Sequence, residues 1–385
     1  MSTADIEKPS YMTEDMEIFR DAVGKFLEKE AVPHNERWSK EGQIDRDFWN
    51  KAGEQGFLCT SLSDDHGCPG GNFAHQAVLT YEATKHGVQG WGESVHSGIV
   101  APYIEHYGTD EQKQRWLPKL ASGEMVAAIA MTEPGTGSDL QSVKTTAKLD
   151  GNQYVINGSK TFITNGQQAN LVCVVAKTDP TQGAKGISLV FVETDDADGF
   201  RRGRNLDKIG LKAQDTSELF FDDVQVPTAN LLGDEEGKGF IQLMQQLPQE
   251  RLIIAVQAVA AMEAAVEETV NYTKERKAFG KSVMDFQNTK FKLAEAKTIT
   301  RVAKVFVDKC TEQLLAGKLD AETASMAKWW CTQQQCEVID ECLQLFGGYG
   351  YMNEYPIARM YADARVQKIY GGTNEIMKEL ISRSL

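Results

Sequence analysis

The 385-residue chain has no long uninterrupted apolar stretch and no run of basic residues. Its most apolar segment, Leu252 to Val266, is interrupted by Gln257 and Glu263 and is shorter than the roughly 20 residues that span a bilayer, so we predict no membrane insertion. A net charge of −14 without a basic tract argues against nucleic acid and anionic membrane surfaces as partners. No targeting peptide is visible, which predicts a cytoplasmic protein, or a mitochondrial matrix protein if the chain is a processed one.

Several catalytic and metal-binding patterns are also missing. The seven cysteines contain no CxxC pair, which indicates reduced thiols that serve mostly as small core residues. No HExxH or HxH spacing occurs, so no metal site is predicted. No nucleophile elbow surrounds a serine or cysteine, which leaves nucleophilic hydrolysis without support. We interpret five regularly spaced histidines as surface and interface residues: His66, His75, His86, His96 and His106.

The hydrophobic period changes twice along the chain. Apolar residues recur at helical spacing in the first third, short strands follow from about Val126, and the helical period returns at Gly239. We therefore predict a mainly α protein with a central β domain. It comprises an N-terminal helical domain (1–125), a central antiparallel β-barrel or sandwich (126–238) and a C-terminal four-helix bundle (239–385).

Turn dipeptides divide the predicted β domain. Asp150-Gly151 and Asn157-Gly158 are strong hairpin signals. Residues 218–221 and 224–227 are predicted to form a later pair of strands.

One carboxylate and one guanidinium stand near the head of the most apolar helix, predicted from Gly239 to Lys274. Glu250 and Arg251 follow Pro248, which suits a kink or a first turn. Burial would disfavour the charged form of Glu250 and raise its pKa toward the range of a general base. Alternatively, Glu250 pairs with Arg251 or a distant lysine and only seats the helix.

Two segments of the β domain could hold a flat polar heterocycle. Residues 131–139 offer close backbone approach and hydrogen-bond donors, although Leu140 occupies the third glycine position of GxGxxG. The alternative is a glycine-rich hairpin. Phe162 beside Thr164 suits the edge of an isoalloxazine ring, because the aromatic side chain stacks and the hydroxyl donates; such pairs also occur in ordinary strands.

Two segments of the helical bundle suit the rest of a dinucleotide. Arg276 could hold a pyrophosphate or cap the end of a helix. Residues 344–348 could bring bare backbone against an adenosine, or could simply end a helix.

Five motifs, taken in order, resemble those of the acyl-CoA dehydrogenase family. Each is weak alone, but their order and spacing are specific and cover nearly the whole chain. The similarity is greatest to the long-chain branch, over residues 247–252 and 370–380. The motifs are Met131-Thr132-Glu133-Pro134-Gly135, Phe162-Ile163-Thr164-Asn165-Gly166, Arg276-Lys277-Ala278-Phe279-Gly280, Gly347-Gly348-Tyr349-Gly350 and Tyr370-Gly371-Gly372-Thr373-Asn374-Glu375.

This resemblance implies FAD-dependent oxidation of fatty acyl-CoA thioesters, of medium, long or branched chain, to trans-2-enoyl-CoA in fatty acid β-oxidation. Electrons would pass to an electron-transfer flavoprotein, and a homotetramer (a dimer of dimers) would hold FAD at a dimer interface. The implied FAD-binding residues are Ile129, Met131, Thr132, Gly137, Ser138, Phe162, Ile163, Thr164, Arg276, Phe279, Gln287, Gln344, Gly347, Gly348, Thr373 and Glu375. The implied substrate-binding residues are Ser138, Gln249, Arg251, Gly371 and Gly372.

One position departs from the family pattern. Many members carry the catalytic glutamate immediately before the Gly-Thr of the last motif, where this chain has Gly371. The long-chain and isovaleryl-CoA branches take the base from the first bundle helix, so the resemblance implies Glu250 as the base that removes the α-proton. Glu375 is a lower-ranked candidate. A flavin oxidase that uses oxygen and a non-catalytic acyl-CoA-binding protein of the same fold remain alternatives.

Overall fold

A computed structural model describes residues 8–385; the segment in which no targeting peptide is visible lies partly outside this range. Helices make up the first third. The N-cap Thr13 begins the first helix by accepting a hydrogen bond from the Met16 amide, and acidic residues fill its first turn. A π-helical turn, His96–Val100, separates α5 from α6. The helices are α1 (Glu14–Glu30), α2 (Asn35–Glu41), α3 (Arg46–Glu54), α4 (Phe73–Lys85), α5 (Glu93–Val95), α6 (Ala101–Tyr107) and α7 (Asp110–Ala121).

A seven-stranded sheet follows the first helices. It is mainly antiparallel, but β4 pairs in parallel with β1 and, at one residue, with β2. The order is β1-β4-β2-β3-β7-β6, with β5 also paired to β4. Strands β4 and β5 are buried on both faces except at their last residues. The strands are β1 (Ala127–Ala130), β2 (Thr146–Asp150), β3 (Gln153–Thr164), β4 (Leu171–Lys177), β5 (Ile187–Glu193), β6 (Phe200–Asn205) and β7 (Thr216–Pro227).

Only one of the two predicted hairpin turns forms. Asp150 pairs with Gln153 across the β2–β3 turn, which confirms the first. The second prediction is wrong, because Asn157-Gly158 lies inside β3 at a register shift against β7. There Asn157 donates to the Asp223 carboxylate (2.8 Å) and accepts from the Asp223 amide (3.0 Å). This bulge keeps residues 216–227 in one strand, so the predicted strand pair is also wrong.

The last third is helical. A 37-residue helix, α8, runs from Gly239 to Glu275 and packs against α4, α9 and α10. Pro248 lies inside α8 and not in its first turn. Because proline has no backbone N–H, one hydrogen bond of the helix is missing at this position. The other elements are β8 (Lys277–Ala278), β9 (Lys281–Ser282), α9 (Gln287–Leu315), α10 (Ala321–Phe346), α11 (Pro356–Ala364) and α12 (Asn374–Ser382).

The observed layers confirm the predicted fold class of helices, central β domain and helices. Among the described residues, no helix is both long enough and apolar enough to cross a membrane. The cysteines are free, and all except the partly buried Cys336 are buried, as predicted.

His96 is wrongly predicted as a surface or interface residue. Its ring is completely buried. The Nδ1 atom accepts from the Ala127 amide (2.9 Å), so the neutral ring carries its proton on Nε2, which donates to the Leu120 carbonyl (3.1 Å). Burial lowers the pKa of His96 to about 4. The side chain therefore joins the π-helical turn to α7 and β1.

Candidate active site

Glu250 lies within α8 and is only 5% exposed. Its Oε1 accepts a hydrogen bond of 2.7 Å from the hydroxyl of Tyr103 on α6. Burial raises the pKa of Glu250 to about 7, against the opposing effects of the Tyr103 hydrogen bond and the positive charge of Arg251. A carboxylate with a pKa near neutrality is a stronger base than an exposed one and is still ionised at neutral pH in a useful fraction of molecules.

Arg251 does not form an ion pair with Glu250. The alternative in which Glu250 only stabilises the start of the helix by pairing with Arg251 is therefore not supported. Within residues 8–385 no ion pair joins the two side chains, and the direct partner of the Glu250 carboxylate is Tyr103. The buried guanidinium instead donates from Nη1 to the Ser325 hydroxyl of α10 (3.2 Å), and its Nε has no partner in the same range. Arg251 thus links α8 to α10 and contributes long-range positive charge near Glu250.

Gly371 lies in the loop before α12, against the same face of α8 as Glu250. A Cβ atom at Gly371 would be 2.3 Å from Cδ1 of Ile254, which is one helical turn after Glu250. The backbone of Gly371 also has φ +64°, a conformation that disfavours side chains. A glutamate at 371 would therefore clash and be strained, whereas Glu250 brings a carboxyl to this region from the helix.

Lys328 anchors this loop and was not identified from the sequence. Its Nζ donates to the Gly372 carbonyl (2.7 Å) and to Oδ1 of Asn374 (3.0 Å). The side chain is fully buried, and burial lowers the pKa of Lys328 to about 7, helped by the positive charge of Arg251. A lysine between Ala324 and Cys331 on the buried face of α10 is the sequence signal that could have revealed it.

The loop leaves two donors free. Within the described part of the chain, the amides of Gly371 and Gly372 donate to no protein acceptor. Thr373 caps α12 by accepting from the Ile376 amide (3.3 Å). Glu375 follows in the first turn; it is exposed, and hydrogen bonding with its own backbone helps to lower its pKa, which makes it a weaker base than Glu250.

A second set of predicted residues meets where β1 ends beside β3. The Thr161 amide donates to the Thr132 carbonyl (2.9 Å). Buried Lys160, another residue missed from the sequence, donates to the carbonyl of Met131 (3.0 Å) and to Glu133 Oε1 (2.9 Å). These bonds hold the Met131–Glu133 segment against β3.

The irregular end of β3 turns Phe162 outward. This residue has φ +60° and is 68% exposed, whereas the side chain of Ile163 is buried in the core of the sheet. Ile163 can therefore face a ligand only through its backbone. The partly exposed side chains of Ile129 and Thr164 lie at the same end of the sheet.

The glycine-rich segment after β1 leaves its backbone open. A Cβ on Gly135 would meet nothing within 4 Å, and one on Gly137 would reach only a methyl group of Thr132. Ser138 is exposed beside them. An outward aromatic ring, bare backbone and nearby hydroxyls fit the edge of a flavin and its phosphates.

Four other predicted FAD-binding residues line a separate groove of about 640 Å³ at the far end of α8: Arg276, Gln344, Gly347 and Gly348. Arg276 lies over the Tyr349 ring at 5.4 Å, and Cβ atoms added to Gly347 or Gly348 would meet nothing within 4 Å. At about 1.5 Å per residue, the part of α8 from Glu250 toward Arg276 is about 39 Å long. The structure therefore does not bring these residues, which include Gln344, together with Glu250 in one chain.

Three further predicted residues lie outside these two clusters. None of them is fully buried. Phe279 is 94% exposed, and Gln287 is exposed where α9 begins. Gln249 donates from Nε2 to the Gly98 carbonyl (3.1 Å) and so ties α8 to the π-helical turn.

Comparisons with known proteins match the order of the helical, β and helical parts of the chain. Models of the acyl-CoA dehydrogenase N-terminal, middle and C-terminal domains match residues 13–124, 128–224 and 237–385. The chain is 52% identical over 371 residues to the mitochondrial long-chain specific acyl-CoA dehydrogenase of Sus scrofa, which covers 96% of this chain and 86% of that protein.

Solved structures match over nearly the full length. Acyl-CoA dehydrogenase from Geobacillus kaustophilus has a TM-score of 0.95 and 51% identity, covering 98% of this chain and 99% of that one. A glutaryl-CoA dehydrogenase from Mycobacterium smegmatis in complex with FADH2 has a TM-score of 0.90 and 28% identity, covering 97% and 94%.

The fold and these matches define an FAD-dependent oxidoreductase. The chain belongs to the acyl-CoA dehydrogenase family. The predicted family, enzyme class and cofactor are therefore confirmed, and the alternative of a non-catalytic binding protein is set aside.

Proposed function

We propose that this enzyme oxidises medium-chain, long-chain or branched acyl-CoA thioesters to trans-2-enoyl-CoA, with Glu250 as the base. The observation that supports this assignment is the buried carboxyl of Glu250 beside the Gly371 loop, with its pKa raised to about 7. Bound FAD supplies the acceptor for the β-hydrogen, which leaves as hydride. The preference for longer chains rests on the long-chain specific relative.

The protein groups have separate tasks in this proposal. Glu250 takes the α-proton of the thioester. The unpaired amides of Gly371 and Gly372 are donors for the thioester oxygen, where negative charge develops as the proton leaves. Lys328 holds the Gly372 carbonyl and so keeps the loop in one conformation.

We propose that FAD is shared between subunits of a homotetramer organised as a dimer of dimers. The support is the distance of about 39 Å along α8 between Glu250 and Arg276, which is too long for one dinucleotide to bridge within a chain. In this arrangement Ile129, Met131, Thr132, Ser138, Phe162 and Thr164 hold the flavin end, and the groove with Arg276, Gln344, Gly347 and Gly348 receives the cofactor of the neighbouring subunit.

The proposed electron acceptor is an electron-transfer flavoprotein; an oxidase would use oxygen instead. Aerobic turnover coupled to electron-transfer flavoprotein reduction, without stoichiometric hydrogen peroxide, is the expected result. Peroxide formed in step with enoyl-CoA would support the oxidase.

Anaerobic mixing with a graded panel of acyl-CoAs tests the base and the chain preference together. Wild-type flavin absorbance should bleach fastest with the preferred substrate. Glu250→Gln should fold, retain FAD and bleach at least about 10³-fold more slowly, because an essential general base is missing. Glu375→Gln is the matched control and should bleach much faster than Glu250→Gln. The opposite ranking would transfer the role of base to Glu375.

A further inference from the structure

Glu250 has one direct hydrogen-bond partner among the described residues, the hydroxyl of Tyr103. This hydroxyl donates to Oε1 at 2.7 Å, and Oε2 accepts no hydrogen bond from residues 8–385. Both side chains are buried, although 147 residues separate them along the chain. One oxygen of this buried carboxylate is therefore held by a hydrogen bond, and the other has no hydrogen-bond donor among the described residues.

We propose that Tyr103 is a positioning residue for the catalytic base: it holds Oε1, directs Oε2 toward the substrate and stabilises the carboxylate before proton abstraction. This inference rests on the proposed function of Glu250. During the reaction the α-proton passes to Oε2, the C–H bonding electrons remain with the substrate, and Tyr103 keeps its own proton throughout.

The surroundings of Tyr103 favour a fixed donor. Its ring is fully buried on α6, which follows the π-helical turn and carries Pro102 near its start. The Tyr107 ring lies at a centroid distance of 6.2 Å. Burial, with the negative charge of Glu250, raises the pKa of Tyr103 well above its ordinary value, so the phenol remains protonated and can donate across the neutral pH range.

The other titratable groups near Glu250 cannot replace this donor. Tyr107, also on α6, donates to Gln245 Oε1 (3.1 Å). Burial and the negative charge of Glu250 both raise the pKa of the Cys173 thiol on β4, so this thiol stays neutral. Arg251 is turned to Ser325, and His106 contacts Gln246 one helical turn before Glu250.

The substitution Tyr103→Phe removes the donor and preserves the ring. A hydrogen bond to a carboxylate favours the charged form, so its loss should raise the pKa of Glu250. Hydrogen bonds to charged groups have sufficient strength for a change of about one pH unit. The acidic limb of the pH profile of flavin reduction should move upward by about one pH unit, and the rate at pH 7 should fall roughly fivefold, because the ionised fraction of Glu250 falls from about one half to about one tenth.

The matched control is Tyr107→Phe, which removes a neighbouring phenol hydroxyl that does not contact Glu250. Its acidic limb should coincide with that of the wild type. FAD content and circular dichroism establish that each variant is folded and loaded.

A second measurement follows the carboxyl directly and does not need turnover. The protonated C=O stretch of Glu250, identified in infrared difference spectra by its loss in Glu250→Gln, should titrate at higher pH in Tyr103→Phe than in the wild type. Incorporation of 3-fluorotyrosine, whose phenol is a stronger donor, should lower the midpoint in the wild type but not in Tyr103→Phe.

The outcomes separate the two proposals. Rapid flavin reduction by Glu250→Gln would overturn the proposed function itself. If Glu250→Gln is inactive but Tyr103→Phe leaves both the acidic limb and the infrared midpoint unchanged, the function stands and the role of Tyr103 is refuted. An upward movement of both supports the inference.

Discussion

Replacing Glu250 by glutamine should stabilise the protein at the same time as it removes the proposed base. The ionised side chain is buried with one direct hydrogen bond, from Tyr103, and no ion pair among residues 8–385. Glutamine has nearly the same shape, and its carbonyl oxygen can still accept from the Tyr103 hydroxyl. The substitution therefore removes the cost of burying a charge while largely preserving the packing.

The magnitude follows from the pKa difference between the folded and unfolded protein. Between the ordinary pKa of 4.5 and the folded value of about 7, the folded protein binds more protons at Glu250 than the unfolded chain. The contribution of Glu250 to the free energy of unfolding therefore falls as the pH rises through this interval. The full cost of ionisation, present above about pH 7, is about 3 kcal/mol.

Urea unfolding of FAD-loaded wild type and Glu250→Gln, followed by tryptophan fluorescence, measures this difference. At about pH 8 the variant should be more stable by about 3 kcal/mol, and the two proteins should converge toward about pH 4, where Glu250 is neutral in both states. Glu375→Gln is the control: that carboxylate is exposed, so its substitution should not produce this pH-dependent gain.

A constant difference between wild type and Glu250→Gln from acid to alkaline pH would refute the reasoning. It would mean that Glu250 does not titrate differently on folding. Burial would then not be the cause of its basicity, whatever the activity of the variant.

Three further predictions concern the supporting residues. Gly371→Glu should lower the melting temperature, because the new side chain meets Ile254, and it should not restore flavin reduction to Glu250→Gln. Burial lowers the pKa of Lys328 to about 7, so the unfolding free energy of the wild type should rise relative to that of Lys328→Met between pH 7 and about 10 in urea titrations. Arg276→Leu should lower the FAD-to-protein ratio after gel filtration while leaving the helical circular dichroism unchanged, since Arg276 is exposed at the groove.

The sequence predicts the features that depend on local periodicity. The boundaries of α8 and the burial of Glu250 follow from a long apolar run that ends in polar residues. The Asn157-Gly158 turn fails for a physical reason: the same polar and flexible residues that favour a hairpin also suit a bulge. Here the side chain of Asn157 pairs with Asp223 on the neighbouring strand, which no local pattern reveals.

Long-range partners were beyond the reach of sequence patterns. Tyr103 occupies an ordinary helical position, and its link to Glu250 exists only because α6 packs against α8. His96 is similar, because its burial depends on backbone partners in α7 and β1. Lys328 is different: a lysine in an apolar stripe was visible, but its acceptors in the Gly372 loop were not.

The location of the acid on α8 and the glycine at 371 are consequences of one packing arrangement. Ile254 occupies the space that a side chain at 371 would need, and it lies one turn from Glu250 on the same helix. A base on the loop would therefore require the terminal methyl group of Ile254 to move and residue 371 to adopt a left-handed conformation that disfavours side chains. With the base on the helix, the loop needs no side chain there and can present its free amides while Lys328 holds its carbonyl. In the proposed mechanism, proton abstraction therefore depends on the rigid helix, and stabilisation of the thioester oxygen depends on the anchored loop.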